Sequence, residues 1–225
     1  MRQKCKRVLH DESGCCPVMV LVIGYLSNNC YIISDGDEPG APTILVDPAG
    51  DPDAIMQALE GKDLQYIFLT HNHPDHVLAL PQIVAETHAQ VLISEQDAHL
   101  IETGQPELFR GWGDVQPVLV DRKLHDGDII EVGSMKFEAI LTPGHTLGGM
   151  CLYSRGEGKP GVLFTGDTLF YGTTGRMDFA GGSETDMRWS LRNKLAPLPD
   201  DTIVYPGHEA FTTIGAERVR VLERF

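Results

Sequence analysis

The sequence lacks two features that would point to a membrane or a nucleic-acid partner. The apolar run at 18–26 is too short to cross a bilayer, and its β-branched residues predict a buried strand. Positive charge is also scarce: 18 Lys and Arg stand against 32 Asp and Glu, giving a formal net charge of -14 at pH 7. Such a chain repels polyanions. We therefore expect a cytoplasmic protein with a small-molecule substrate, and neither nucleic acid nor a membrane as its partner.

Cysteine is scarce and follows no recognisable pattern. An odd count without zinc-finger spacing argues against a disulfide framework and fits reduced thiols in a cytosol. The basic, polar N-terminus has no apolar segment directly behind its charges, so we expect no signal peptide. The five cysteines are Cys5, Cys15, Cys16, Cys30 and Cys151.

Linkers, charge blocks and internal repeats are absent, so one domain is the simplest organisation. We expect residues 1–17 to form a loosely attached N-terminal extension and residues 18–225 to form the domain itself. Strand and helix patterns alternate along that domain, which indicates an α/β fold. A four-layer αββα sandwich would place the loops after its strands along one edge.

Turn and cap residues divide the chain into elements. Asn28 lies in a predicted hairpin turn at 27–29, and Gly133 begins another. Asp51 is the predicted N-cap of one helix, and Gly61 is predicted to end that helix. Ser94 is the predicted N-cap of a second, short helix that runs through Ile101. The segment 103–117 is rich in Gly and Pro and predicts a surface loop. The remaining predicted helices cover 81–88, 185–195 and the tail after residue 213.

One short segment concentrates potential metal ligands. His71, His73, Asp75 and His76 follow an apolar strand. Alternate positions after a strand point the same way, so His71 and His73 can bind one ion. Pro74 turns the chain, which lets Asp75 and His76 reach a second ion. Three histidines and an aspartate packed this closely are typical of a metal site.

Three later residues extend this pattern. His145 and His208 each follow a Pro-Gly pair, and Asp167 follows a buried apolar strand. A rigid scaffold can aim side chains from such strand ends into one cleft. Imidazole and carboxylate ligands suit zinc, iron or manganese. We expect two divalent ions, with zinc as the first choice and iron or manganese as the alternatives.

The order His-x-His-x-Asp-His, Pro-Gly-His, Gly-Asp, Pro-Gly-His resembles the metallo-β-lactamase superfamily, and the segments 44–48, 166–170 and 175–179 resemble its glyoxalase II-like branch. The resemblance implies an αββα sandwich. It also implies that Asp167 bridges the ions together with a hydroxide, which Asp75 orients. One implied metal is held by His71, His73 and His145, and the other by Asp75, His76 and His208.

The resemblance implies a dinuclear hydrolase of thioesters or esters, similar to hydroxyacylglutathione hydrolase, with Asp75 and Asp167 as catalytic residues. The chain ends at Phe225, soon after His208, so we expect the helical domain that grips glutathione to be missing. A different thioester or ester then becomes equally plausible. The alternative is an enzyme similar to the mononuclear-iron persulfide dioxygenases, with its iron on His71, His145 and Asp167.

Three further residues have two open interpretations each. Arg176 either binds a substrate carboxylate or pairs with nearby Asp178. Tyr171 either lines the substrate pocket or serves packing. Asp47 either forms a turn or accepts a hydrogen bond from a ligand histidine.

Overall fold

The computed structural model describes residues 5, 7–24, 26–104 and 116–225, which form two sheets. In the first sheet the strands lie in chain order, antiparallel from β1 to β4 and parallel from β4 to β7. These strands are β1 (Arg7–Asp11), β2 (Val18–Ile23), β3 (Asn28–Ser34), β4 (Pro42–Val46), β5 (Asp63–Phe68), β6 (Gln90–Ser94) and β7 (Arg122–Leu124).

The second sheet has the spatial order β13-β12-β11-β10-β9-β8. Its strands pair antiparallel except β11 and β12, which are parallel. They are β8 (Ile129–Val132), β9 (Met135–Leu141), β10 (Met150–Ser154), β11 (Val162–Gly166), β12 (Ile203–Pro206) and β13 (Thr212–Thr213).

Helices cover the outer faces of both sheets. No helix in the described ranges is long and apolar enough to cross a membrane. α5 and α6 each run on into a π-helical turn, at Leu191–Leu195 and Arg218–Leu222. The helices are α1 (Pro52–Ala58), α2 (Pro74–Val77), α3 (Leu80–Thr87), α4 (Glu95–Thr103), α5 (Glu184–Ser190) and α6 (Ile214–Glu217).

Alternation along the strands builds the layers. In β11, Phe164 packs between the two sheets, whereas its neighbour Leu163 packs against the helical layer with Met187 of α5. Adjacent strand residues point to opposite faces, so a strand covered on both sides is apolar at every position. On the outer face of the first sheet, Ile55 of α1 and Ile83 of α3 join the core. The expected αββα sandwich, formed as a single domain, is confirmed.

Local signals in the sequence also match the structure. β2 and β3 form the predicted hairpin, and β8 and β9 form the one around Gly133, whose φ is 57°. The Ser94 hydroxyl accepts a hydrogen bond from the backbone N–H of Asp97 and so caps α4. Most of the loop predicted over 103–117 lies outside the described residues.

The fold begins earlier in the chain than the sequence suggests. Residues 7–11, placed by the sequence in a loosely attached extension, form an edge strand that pairs with residues 18–22 of β2. Asp11 also accepts a hydrogen bond from the Tyr205 hydroxyl at 3.1 Å, and Cys16 is buried between the sheets. A short strand at a sheet edge needs no apolar run, so its sequence carries little signal.

Candidate metal centre

The strand ends bring the ligand loops to one edge of the sandwich. His71 follows β5, His145 follows β9, Asp167 follows β11 and His208 follows β12. The N–H of Met150 in the second sheet donates to the Thr70 carbonyl at 2.8 Å, which joins the ligand edges of the two sheets. The rigid strands therefore fix the separation of loops that are far apart in sequence.

Potential ligand atoms converge there in two triads. One triad is His71, His73 and His145, and the other is Asp75, His76 and His208. Within each triad the ligand atoms lie within 4.8 Å of one another. All the residues that the sequence assigned to metal binding are thus brought together.

Asp167 lies between the two triads. Its Oδ2 is 3.4 Å from His145 Nε2, and its Oδ1 is 3.4 Å from His76 Nε2. One carboxylate oxygen therefore faces each triad, the arrangement that a bridging ligand requires.

Buried polar atoms in the cluster indicate what the site holds. His71 Nε2, His76 Nε2 and Asp167 Oδ1 meet no hydrogen-bond partner within the described ranges. A buried polar atom without a partner is costly, and such atoms are usually paired or bound to a metal. Imidazole nitrogens and carboxylate oxygens are ligands of zinc and iron. The donor set therefore fits divalent metal ions.

Three of the ligand histidines are oriented through the ring nitrogen that points away from the cluster. His145 Nδ1–H donates to the Arg176 carbonyl at 2.7 Å, and His208 Nδ1–H donates to the Leu26 carbonyl at 3.3 Å. His76 Nδ1–H donates to the Asp47 carboxylate at 2.8 Å, as the sequence interpretation of Asp47 proposed. These bonds fix the tautomers so that Nε2 faces the cluster.

Asp47 also organises the start of the ligand segment. Its carboxylate accepts from the N–H of Thr70 at 2.8 Å and from the Thr70 hydroxyl at 2.7 Å. That hydroxyl lies 3.0 Å from His71 Nδ1. One buried carboxylate therefore aligns His71 and His76, which belong to different triads.

Asn28 is a site residue that sequence reasoning missed. It is buried, and its amide donates to Asp75 Oδ2 at 2.8 Å and lies 3.4 Å from His208 Nε2. Asparagine is common in hairpin turns, so its identity there signals a turn rather than a site. Only the fold brings it against Asp75.

The local electrostatics favour the protonation states that metals require. Burial raises the pKa of Asp167, but the imidazoles of His76 and His145 outweigh this and hold the pKa below its ordinary value. Burial and the neighbouring imidazoles lower the pKa of His73 to about 4. The carboxylate is therefore ionised and His73 is neutral near pH 7, as metal binding needs.

The two histidines beside the carboxylates, His76 and His208, have raised pKa values. Burial alone would lower the pKa of His76, but the charges of Asp75, Asp167 and Asp47 outweigh burial and raise it. The pKa of His208 is raised mainly by Asp75 and Asp167, against the effect of burial. These pockets stabilise positive charge, which a bound cation can supply in place of a proton.

A cavity of about 630 Å³ opens onto the cluster. The ring of Phe179 lies 5.5 Å from that of His73, and the ring of Phe170 lies 5.9 Å from that of His208. Both phenylalanines end segments that resemble the glyoxalase II-like branch, but sequence reasoning assigned neither to the site, because an apolar side chain is usually part of the core.

Of the two predicted substrate residues, Arg176 lines this cavity and Tyr171 does not. Arg176 also forms the alternative pair, donating through Nε and Nη2 to the two oxygens of Asp178 at 2.7 Å each. Tyr171 is 49% exposed, and its ring lies 4.8 Å from the guanidinium carbon of Arg220. Tyr171 is therefore not among the residues lining this cavity, whereas its neighbour Phe170 is.

The chain is similar to two hydrolases over most of its length. Hydroxyacylglutathione hydrolase GloC of Haemophilus influenzae is 34% identical over 207 residues, covering 89% of this chain and 94% of that protein. The probable polyketide biosynthesis zinc-dependent hydrolase BaeB of Bacillus velezensis is 34% identical over 184 residues, covering 81% and 73%.

A solved structure and a family profile agree with these relatives. The crystal structure of TTHA1623 in a di-iron-bound form matches with a TM-score of 0.77 and 31% identity, covering 89% of this chain and 97% of that one. The profile of the Metallo-beta-lactamase superfamily matches residues 23–208. The protein therefore belongs to the metallo-beta-lactamase superfamily, as a metal-dependent hydrolase with two triads of potential metal ligands.

Proposed function

We propose that this hydrolase cleaves a small thioester or ester with water activated between two divalent ions. The observation that carries the proposal is the pair of complete triads on either side of Asp167, with unpartnered ligand atoms converging beside an open cavity. The name of the relative GloC supports a thioester, since it is a hydroxyacylglutathione hydrolase. The net charge of -14 supports a small-molecule substrate over nucleic acid.

The metal ions, when bound, supply a nucleophile at neutral pH and polarise the substrate carbonyl. Asp75 is the carboxylate that orients the attacking water. Burial opposes its charge, but His76, His208 and Asn28 outweigh burial and keep the pKa of Asp75 below its ordinary value. The Asn28 amide holds Asp75 Oδ2 at 2.8 Å, so this ionised carboxylate can accept a water proton in a fixed direction.

The reaction balances without a further reactant. Water adds its oxygen to the acyl carbon, and the bond from that carbon to sulfur or oxygen breaks. One water proton goes to the departing thiol or alcohol, and the carboxylic acid releases the other. Asp167 stays ionised throughout, because the imidazoles around it hold its pKa low.

Zinc is the metal we propose first, with iron or manganese compatible with the same ligands. The name of BaeB describes a zinc-dependent hydrolase, and TTHA1623 was crystallised in a di-iron form. The mononuclear-iron dioxygenase alternative would use only His71, His145 and Asp167. A complete second triad of Asp75, His76 and His208 favours the dinuclear reaction.

Elemental analysis of protein purified without added metal tests the proposal, run beside thioester hydrolysis and oxygen uptake. We expect close to two metal ions per chain, hydrolysis of a thioester, and no consumption of oxygen. One iron per chain with oxygen consumption and no hydrolysis would overturn the proposed function in favour of the dioxygenase.

A further inference from the structure

The cavity above the metal cluster has an apolar wall at each triad. Phe170 stands against His208 at 5.9 Å between ring centroids, and Leu26 accepts the His208 Nδ1–H through its carbonyl. Phe179 stands against His73 at 5.5 Å, next to Ala180. Apolar side chains therefore lie beside both triads.

Two of these wall residues are large apolar side chains left in contact with water. Leu26 is 53% exposed and Phe179 is 43% exposed. Both line the cavity. Exposed apolar side chains that line a cleft are typical of a binding surface for an apolar ligand.

The cavity offers few polar groups to a substrate. Among the described lining residues, Arg176 carries the single polar side chain outside the metal ligands. Its guanidinium is bound to both oxygens of Asp178 and lies 4.0 Å from the centre of the Phe179 ring. The positive charge is thus paired within the protein, and the guanidinium extends the wall that Phe179 forms.

We propose that the substrate's acyl group is an uncharged hydrocarbon chain, an inference that rests on the proposed thioester hydrolysis. Whichever way the substrate lies across the cluster, its acyl arm meets an apolar wall. A hydroxyl or carboxylate on that arm meets no polar side chain among the described wall residues except the paired Arg176, so it gains little to offset the water that it gives up. A methylene there gains apolar contact instead.

Thioesters of N-acetylcysteamine that differ in the acyl group alone test the inference on the metal-loaded protein. The series comprises butyryl, hexanoyl, lactoyl and succinyl. We expect kcat/KM to rise about two- to fourfold for each methylene from butyryl to hexanoyl. Lactoyl and succinyl should fall below butyryl.

Variants assign the effect to the walls. The double variant Leu26→Ser and Phe179→Ser should lose the preference for hexanoyl while still hydrolysing butyryl. Leu119→Ser is the matched control, because Leu119 is 73% exposed and outside the residues lining the cavity. It should keep the preference. Circular dichroism checks that each variant is folded.

The outcomes distinguish the proposed thioester hydrolysis from the inference about the acyl group. A flat series, or lactoyl or succinyl ahead of butyryl, overturns the acyl inference and leaves thioester hydrolysis standing. Unchanged selectivity in the folded double variant overturns the role of the walls. Failure to hydrolyse any member of the series overturns the proposed thioester hydrolysis, and the acyl inference with it.

Discussion

The ligand histidines depend on ordinary protein groups for their direction. A carboxylate orients His76, while main-chain carbonyls orient His145 and His208. Such partners determine which ring nitrogen faces the metal, and removing one typically costs 10- to 100-fold in metal affinity or activity. Hydrogen bonds within the protein therefore orient these three ligand histidines.

His71→Ala is expected to lower the metal content and reduce hydrolysis by more than about a hundredfold, beyond the loss of an orienting partner. The reason is that its buried Nε2 belongs to the first triad and has no partner within the described ranges. Elemental analysis and kcat measure both effects. His99→Ala, at an exposed histidine on α4, is the control and should change neither. Full metal content in folded His71→Ala would contradict the ligand assignment.

Asp178→Asn tests whether the charge of Arg176 is withheld from the substrate. The exchange removes the bidentate ion pair and exposes an unpaired guanidinium on the cavity wall. We expect the ratio of kcat/KM for succinyl to that for butyryl thioester to rise about two- to fivefold, the range of exposed ion pairs. Asp128→Asn, which alters the exposed pair with Arg122, should leave the ratio unchanged. An unchanged ratio in Asp178→Asn would contradict the pairing argument.

At the scale of elements, the turns after the strands decide whether the ligands can meet. A Cβ on Gly207 would lie 2.7 Å from Asp167 Oδ1 and 2.7 Å from His76 Cε1. A Cβ on Gly175 would lie 2.2 Å from the Asp167 carbonyl. Glycine is required at these positions because the backbone passes directly beside the ligands.

Gly207→Ala is therefore expected to displace Asp167 and His76, with at least about a tenfold loss of metal affinity. Metal titration of the apo protein measures this. Gly158→Ala is the control: its φ is 74° and a Cβ would meet nothing within 4 Å. That control should lose about 1 kcal/mol of stability through backbone strain and keep its metal affinity. Equal affinities in the two variants would show that close packing at Gly207 is unimportant.

For the molecule as a whole, the αββα sandwich holds the ligand-bearing edges of its two sheets together. His71, His73, Asp75 and His76 come from the first sheet, and His145, Asp167 and His208 from the second. A metal bound across that edge links the halves of the sandwich. Since metal binds the folded state, it should stabilise the fold.

Removal of the metal with a chelator should lower Tm by about 5–10 °C, the shift for losing a ligand held at about 100 times its Kd in a chain of this size. Differential scanning calorimetry with and without chelator measures the change. His71→Ala, already poor in metal, should shift much less. A chelator effect of the same size in both proteins would point to a cause other than this site.

The sequence by itself determined the layers and the candidate metal ligands. Continuous apolar runs indicate strands covered on both faces, as β11 shows with Phe164 inward and Leu163 outward. Metal chemistry restricts ligands to a few residue types, so a compact His-x-His-x-Asp-His segment is recognisable without coordinates. The sequence could not assign β1 to the sheet, since a short edge strand needs no such pattern.

Only the tertiary structure decided what surrounds the ligands. Asn28, the carbonyls of Leu26 and Arg176, and the rings of Phe170 and Phe179 reach the site because folding brings distant segments together. A main-chain carbonyl exists at every residue, and an apolar ring is usually core, so neither has a sequence signature. That Phe170 lines the cavity is likewise set by three-dimensional packing.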